Sequence, residues 1–448
     1  MRFILAGAGL AIFAGTAVGQ QPAPAIEPTH PECVAPGAPA APSARGLATD
    51  SLCVTRSAAI AVALAANPQI QIAGAQAQQA RARKVEGVAL PDPQFTAEWD
   101  YSKWPFGAGG GVDRILGAEL TVPFIDKFRL NGRIGTAGIR QSEFDSIAVR
   151  QAIASQTAQT YDSLLAALRH RADLQQDDSL ARDFLTKTQA RFDAGTVPRL
   201  DVVNAQVAVA QSDNELITNE RDIANARASL DRLLGRPLTA PVATADSLAV
   251  PAAPPGVERL VAIAAAHRPE LASLQSQVQG AHASTDLARE FWLPDLTVGV
   301  SRDYLAPSPG YVTTAISFPI PILYWNHSRG EIAEARYYEQ ELEATYRDAQ
   351  AAVAQDVQVA YATATAALRQ AILLRDQLLP AAAQAYRIAT ASYGLGGSSA
   401  LEVNAARLAL VDAESQYTDA LAAASSARWD LERAIGTSLT AAASGGNP

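Results

Sequence analysis

Five histidines, His30, His170, His267, His282 and His327, are the first place to look for a metal site or a general base. They are scattered along the 448-residue chain without the short ligand spacing that a metal centre needs. His327, near a strand-to-helix turn, reads as a solvated polar residue. Serines, aspartates and glutamates are abundant but form neither a recognisable triad nor an acid pair. Cys33 and Cys53 are the only thiols; they could pair in an oxidising compartment, and neither sits in a context for lipid attachment or nucleophilic catalysis. The expectation is therefore a non-enzyme with no cofactor and no resident metal. Two acids are notable for position instead. Asp201 and Glu402 each lie just past a glycine turn, Gly195 and Gly396, where the chain calls for φ > 0. Local helix chemistry accounts for both acids: Ser399-Ala400-Leu401-Glu402 has the form of a capping box, and Asp201 falls early in its helix, where the macrodipole favours an acid.

A net charge of −9, with no basic cluster to offset it, argues against a nucleic-acid partner. Met1-Arg2 followed by the small-apolar run Phe3 to Val18 reads as an export signal over residues 1–19, and residues 20–56 form a Pro/Ala-rich segment. Beyond the signal no apolar run is long enough for a membrane helix of about 20 residues. If the chain is in a membrane, a β-barrel must put it there.

The elements that position these residues are written twice. With a shift of 201, Phe192 matches Tyr393, Gly195 matches Gly396, Leu200-Asp201-Val202 matches Leu401-Glu402-Val403, and Leu234-Gly235 matches Ile435-Gly436. Asn67-Pro68 answers to Arg268-Pro269, and Leu90-Pro91-Asp92 to Leu293-Pro294-Asp295. The period is that of a duplicated module, residues 57–256 and 257–436, followed by a flexible tail at 437–448.

Each copy predicts a leading helix (57–88; 257–291), two alternating segments, a very long helix and a return helix. Phe95, Ala97, Trp99 and Tyr101 alternate with Gln94, Thr96, Glu98 and Asp100, and the other three segments have the same period of two. Aromatic residues such as Trp99, Trp104, Trp292, Tyr304 and Tyr311 flank the apolar bands, as interface girdles do. Four strands cannot close, and open edges are not tolerated in lipid, so the chain must oligomerise. Two copies would give the smallest barrel, and three would give twelve strands and a usable lumen. Residues 141–194 and 330–394 predict helices of roughly 80 and 100 Å, with Pro380 as an interruption. Val203, Val207, Ala210, Ile217 and Ala224 share one heptad seam on the first return helix.

Together these features resemble the TolC-like outer-membrane efflux protein family, from about Ser57 to Gly436. The Asn67-Pro68 opening, the two Leu-Pro-Asp breaks and the paired tips carry the likeness. It implies an α+β membrane protein: a long α-helical periplasmic tunnel plus four β-strands per chain, in a homotrimer with a twelve-stranded outer-membrane β-barrel. It implies a passive duct in contact with outer-membrane lipid, working with a periplasmic adaptor and an inner-membrane pump of the RND type. By the same resemblance Asp201, Tyr393 and Glu402 fall in the periplasmic gate, with Glu402 able to form a ring of three carboxylates at a constriction. Phe192, Gly195, Val197, Leu395 and Gly396, with Tyr393 beside them, fall at the adaptor-docking tip. Ala405 and Ser398 depart from the family pattern, which implies a gate that is looser or is held by other contacts. Ile316-Ser317-Phe318-Pro319-Ile320-Pro321, Trp325-Asn326 and Gly330-Glu331-Ile332 are similar to the heavy-metal-efflux branch. A drug or secretion duct, or a non-conducting scaffold, would use the same shape.

Overall fold

The computed structural model describes residues 52–101, 112–238, 240, 242–304, 310–320, 322 and 328–444. The export signal, the Pro/Ala-rich stretch up to residue 51, Trp104 and Trp325 to His327 lie outside the described residues.

The order of elements repeats. It opens with β1 (Leu52–Val54), α1 (Arg56–Ala66) and α2 (Pro68–Gly87), then the hairpin β2 (Gln94–Tyr101) and β3 (Val112–Val122). α3 (Ile125–Asp193) and α4 (Arg199–Leu233) follow, then β4 (Val242–Thr244). The second half runs through α5 (Val257–His267), α6 (Pro269–Arg289), β5 (Leu296–Tyr304) and β6 (Tyr311–Ser317), and then α7 (Ser328–Leu373), α8 (Leu379–Gly394) and α9 (Ala400–Ile435). A short α10 (Leu439–Ser444) ends it.

Each leading helix, expected as one piece, is two. The breaks fall at Asn67 and Arg268, because a residue before proline is driven out of the helical region: their φ,ψ are −67°,127° and −69°,116°. The freed corners are used by the return helices. Asn67 Nδ2 donates to Leu233 O at 3.0 Å, and Arg268 Nη1 donates to Arg433 O and Ala434 O at 3.2 and 3.3 Å. Thus the exposed carbonyls at the ends of α4 and α9 are capped by the break of the leading helix. Gly235 and Gly436 turn out of those helices at φ 67° and 72°. A Cβ on Gly436 would meet His267 O at 2.8 Å, so this close approach needs glycine on both counts.

α3 starts at Ile125 rather than near residue 141 and has 69 residues, about 100 Å of helix. Its glycines at 132, 135 and 138 did not stop it, because α2 and α6 pack against this stretch and supply the missing stability. Pro380 likewise fails to end its helix. The π-turn Leu374–Leu378 lets Leu379 N–H bond Leu374 O, and the helix resumes with a proline that needs no donor.

The expected seam on α4 points the wrong way within the protomer. Val203, Val207 and Ile217 are 43%, 50% and 66% exposed, while Val202, Ala205, Val209, Ser212 and Ile223 are buried. The helix carries two adjacent stripes, and α3 takes the one a residue round from the seam. The tail expected to be flexible includes α10, with Ala442 buried against Leu260 and Leu431.

Two cores result. One gathers Val54, Ala59, Tyr161, Leu164, Leu230 and Leu421; the other Leu260, Val357, Leu431 and Ile435. The first is closed by a parallel β1–β4 pair that the sequence reading missed. Asp162 anchors it, accepting from Arg56 Nε at 2.7 Å, Ser425 Oγ at 2.5 Å and Trp429 Nε1 at 3.1 Å. Cys53, in β1, is disulfide-bonded.

The sheet is antiparallel in the order β2-β3-β5-β6. Its register puts Phe95, Ala118, Val300 and Thr314 on one face, and Thr96, Gly117, Ser301 and Thr313 on the other.

Candidate functional site at the helical tips and the strand face

The α3–α4 and α8–α9 turns form the tips. Gly195 and Gly396 take φ 73° and 80°, as their spacing predicted, and a Cβ on either would meet nothing within 4 Å. Backbone conformation, not crowding, selects glycine at both. Ser399 and Glu402 make the expected capping box: Glu402 N donates to Ser399 Oγ at 3.2 Å and Ser399 N to Glu402 Oε2 at 2.8 Å. Glu402 is exposed, with one carboxylate oxygen already committed to its own helix. Asp201 is half-buried, and among the described residues its carboxylate has no hydrogen bond or ion pair. Among the described residues no hydrogen bond joins the two acids.

Tyr393 differs from both. It is only 5% exposed, packed on Phe184 with ring centroids 5.4 Å apart, and so it is not part of an outer docking surface. The Arg191 guanidinium lies 4.4 Å from its ring centroid and donates to Tyr393 O. This contact joins the two hairpins, and sequence reading missed it. Leu395 is 90% exposed, Phe192 is exposed and Val197 half-buried. Of the expected docking residues, the two exposed side chains are apolar.

Higher along the same helices, α3 and α9 are joined by Asp177 and Arg407, each at most 3% exposed in its side chain. Around this buried pair acids crowd. Burial pushes the Glu414 carboxyl up to about 7, with Asp173 and Asp177 adding to the effect and Arg169 opposing it. Glu215 is raised by burial and by Asp177. Nothing in the local sequence of α9 signals this, since the partners come from 230 or more residues away.

The sheet carries the other functional surface. Cross-strand register places Glu98, Glu119 and Asp303 on the polar face with Thr96, Thr121, Thr297, Ser301 and Thr313. Arg114 and Arg302 lie on the opposite, apolar face with Phe95, Trp99, Val298 and Ile316. The register pairs Asp100 with Asp113 on this same face, and among the described residues the face has no lysine or arginine.

An amphipathic four-stranded sheet on a pair of roughly 100 Å helices defines an outer-membrane channel with a long periplasmic part. The pattern of the outer membrane efflux protein family matches residues 59–236 and 260–437, and the chain belongs to that family, a TolC-like channel of the outer membrane extending into the periplasm. It is 25% identical over 370 residues to the pyoverdine export outer membrane protein OpmQ of Pseudomonas putida, covering 77% of each chain. It is 22% identical over 389 residues to the cobalt-zinc-cadmium resistance protein CzcC of Cupriavidus metallidurans, covering 86% of this chain and 90% of that one. The fold matches the Campylobacter jejuni CmeC outer membrane channel with a TM-score of 0.73 at 16% identity, over 91% and 94% of the two chains.

Proposed function

We propose that the protein is the passive exit duct of a tripartite exporter, acting as a homotrimer with a periplasmic adaptor and an RND-type inner-membrane pump, and that its cargo is metal cations. The observation that carries this reading is the open sheet with an acidic polar face. Among the described residues β2 and β6 are unpaired edges, which lipid does not tolerate, so copies must join them. Apolar residues then face lipid, and Glu98, Glu119 and Asp303 line the lumen, where rings of carboxylates favour cations. Three copies of four strands make twelve. The two repeats, 57–256 and 257–436, are read as a duplication, which the double family match supports. Asp201, Tyr393 and Glu402 act at the periplasmic gate in this reading, and Phe192, Gly195, Val197, Leu395 and Gly396 at the adaptor-docking tip.

The likeness to CzcC over 86% of the chain supports metal cargo. The likeness to OpmQ favours a second reading, export of pyoverdine rather than of metal cations. A strain lacking the gene separates them. Loss of growth in cobalt, zinc or cadmium with pyoverdine secretion intact is the expected result; unchanged metal tolerance with loss of secreted pyoverdine sinks the metal assignment.

A further inference from the structure

The apolar face of the sheet carries two charges that nothing on it balances. Arg114 and Arg302 are both exposed and stand on adjacent strands. The register pairs Arg114 with Tyr304 and Leu116 with Arg302, which makes the two arginines diagonal neighbours about 7–8 Å apart. Among the described residues no aspartate or glutamate shares their face, and neither guanidinium has an ion pair. The sequences that link the strands, residues 102–111 and 305–310, contain Lys103 and no acid. Like charges at this spacing on an apolar surface repel one another, and an anion seated between them removes that cost.

Height along the sheet says where such an anion lies. β3 leads into α3 and β5 follows α6, and the helical part is periplasmic, so the arginines stand at the outward end of the strands. From the helix end, the apolar side chains of β3 run Val122, Leu120, Ala118 and Leu116, and then comes Arg114. On β5 they run Leu296, Val298 and Val300, and then comes Arg302. From the exposed Phe124 to Arg114 is ten residues, about 33 Å of strand and roughly 25 Å of height at a tilt of about 40°. The lipid-facing band of an outer-membrane barrel is about 25 Å tall, and arginine is tolerated on it only near the rim. Trp99 and Tyr304, opposite Arg114 on β2 and β5, are exposed aromatic residues of the kind that mark that rim. Arg302 lies 5.0 Å from the Tyr304 ring centroid, which ties its guanidinium to the girdle.

We propose that Arg114 and Arg302 form a phosphate clamp for a glycolipid of the outward leaflet, the phosphorylated disaccharide headgroup of lipid A. The inference rests on the apolar face being the lipid-facing one, as read above. Both guanidiniums donate charge-assisted hydrogen bonds to one phosphate, and the acyl chains lie against the exposed Leu116 and Val300 beneath it.

The purified protein in detergent is offered diphosphoryl lipid A or the same lipid with both phosphates removed, and retained lipid is measured by native mass spectrometry. The diphosphoryl form is expected to be retained about tenfold more. Arg114→Gln with Arg302→Gln should bring it down to the level of the dephosphorylated form, whereas Arg114→Lys with Arg302→Lys should keep part of the difference. Phosphatidylglycerol retained as well as diphosphoryl lipid A would reveal a general anion site and overturn the glycolipid assignment. Equal retention of the two lipid A forms by the unmodified protein overturns the clamp while leaving the barrel standing. Retention indifferent to the double glutamine substitution, in a variant with unchanged circular dichroism, does the same. A protein that retains neither form and conducts nothing in a planar bilayer instead refutes the lipid-facing barrel on which the clamp rests.

Discussion

At the tips, two acids that look alike in sequence have different freedom. Glu402 has one oxygen bound to Ser399 N at 2.8 Å, and Asp201 has no such partner. A gate built on both would have to spend the capping contact of α9 when it opens, whereas Asp201 is available without that loss. If they hold the gate, Asp201→Ala combined with Glu402→Ala should raise single-channel conductance in planar bilayers by severalfold, with trimers of normal size; unchanged conductance removes them from the gate. Glu414 makes a second residue-scale test. Its folded-state value of about 7 stands above the ordinary carboxylate value near 4.3, so the folded chain holds a proton the unfolded chain has lost. That contribution is fully present below about pH 4.3 and is lost as pH rises through 7. Glu414→Gln should therefore melt about 2 °C higher than the parent at pH 8, with the gap closing by pH 5. A gap that is constant with pH would show that the carboxyl titrates normally.

Among the elements, what repeats in the sequence was legible and what depends on partners was not. The glycine turns, the capping box and the alternation of strands such as Thr96, Ala97, Glu98 and Trp99 are local patterns, and the structure has them. Asn67-Pro68 and Arg268-Pro269 were visible as a matched pair; that they cap the ends of α4 and α9 was not, because the contact joins residues more than 160 apart. Pro380 misled for the opposite reason: a five-residue π-turn just upstream absorbed a defect that propensity alone treats as a stop. The α4 seam misled because sequence shows that a helix has an apolar stripe but not which neighbour takes it. Val203, Val207 and Ile217, left exposed in the protomer, are the stripe available to another copy. Among the candidate site residues, Asp201 and Glu402 could be found from spacing, but the Arg191–Tyr393 tie needed two hairpins side by side.

For the molecule as a whole, one arrangement joins the features. A sheet with two free edges, apolar on one face and acidic on the other, is unfinished in a single chain and complete in a closed ring. In the proposed trimer the helices continue that ring as a periplasmic wall of roughly 100 Å. Charge follows the same division, with Arg114 and Arg302 on the apolar face and Glu98, Glu119 and Asp303 on the polar face. The most direct measurement is the reversal potential of the purified protein in a planar bilayer under a tenfold potassium chloride gradient. A cation-selective potential that shrinks toward zero in the Glu98→Gln, Glu119→Gln, Asp303→Asn variant is the expected result. Absence of conductance under any condition, or anion selectivity unaffected by those three substitutions, would contradict the acid-lined duct.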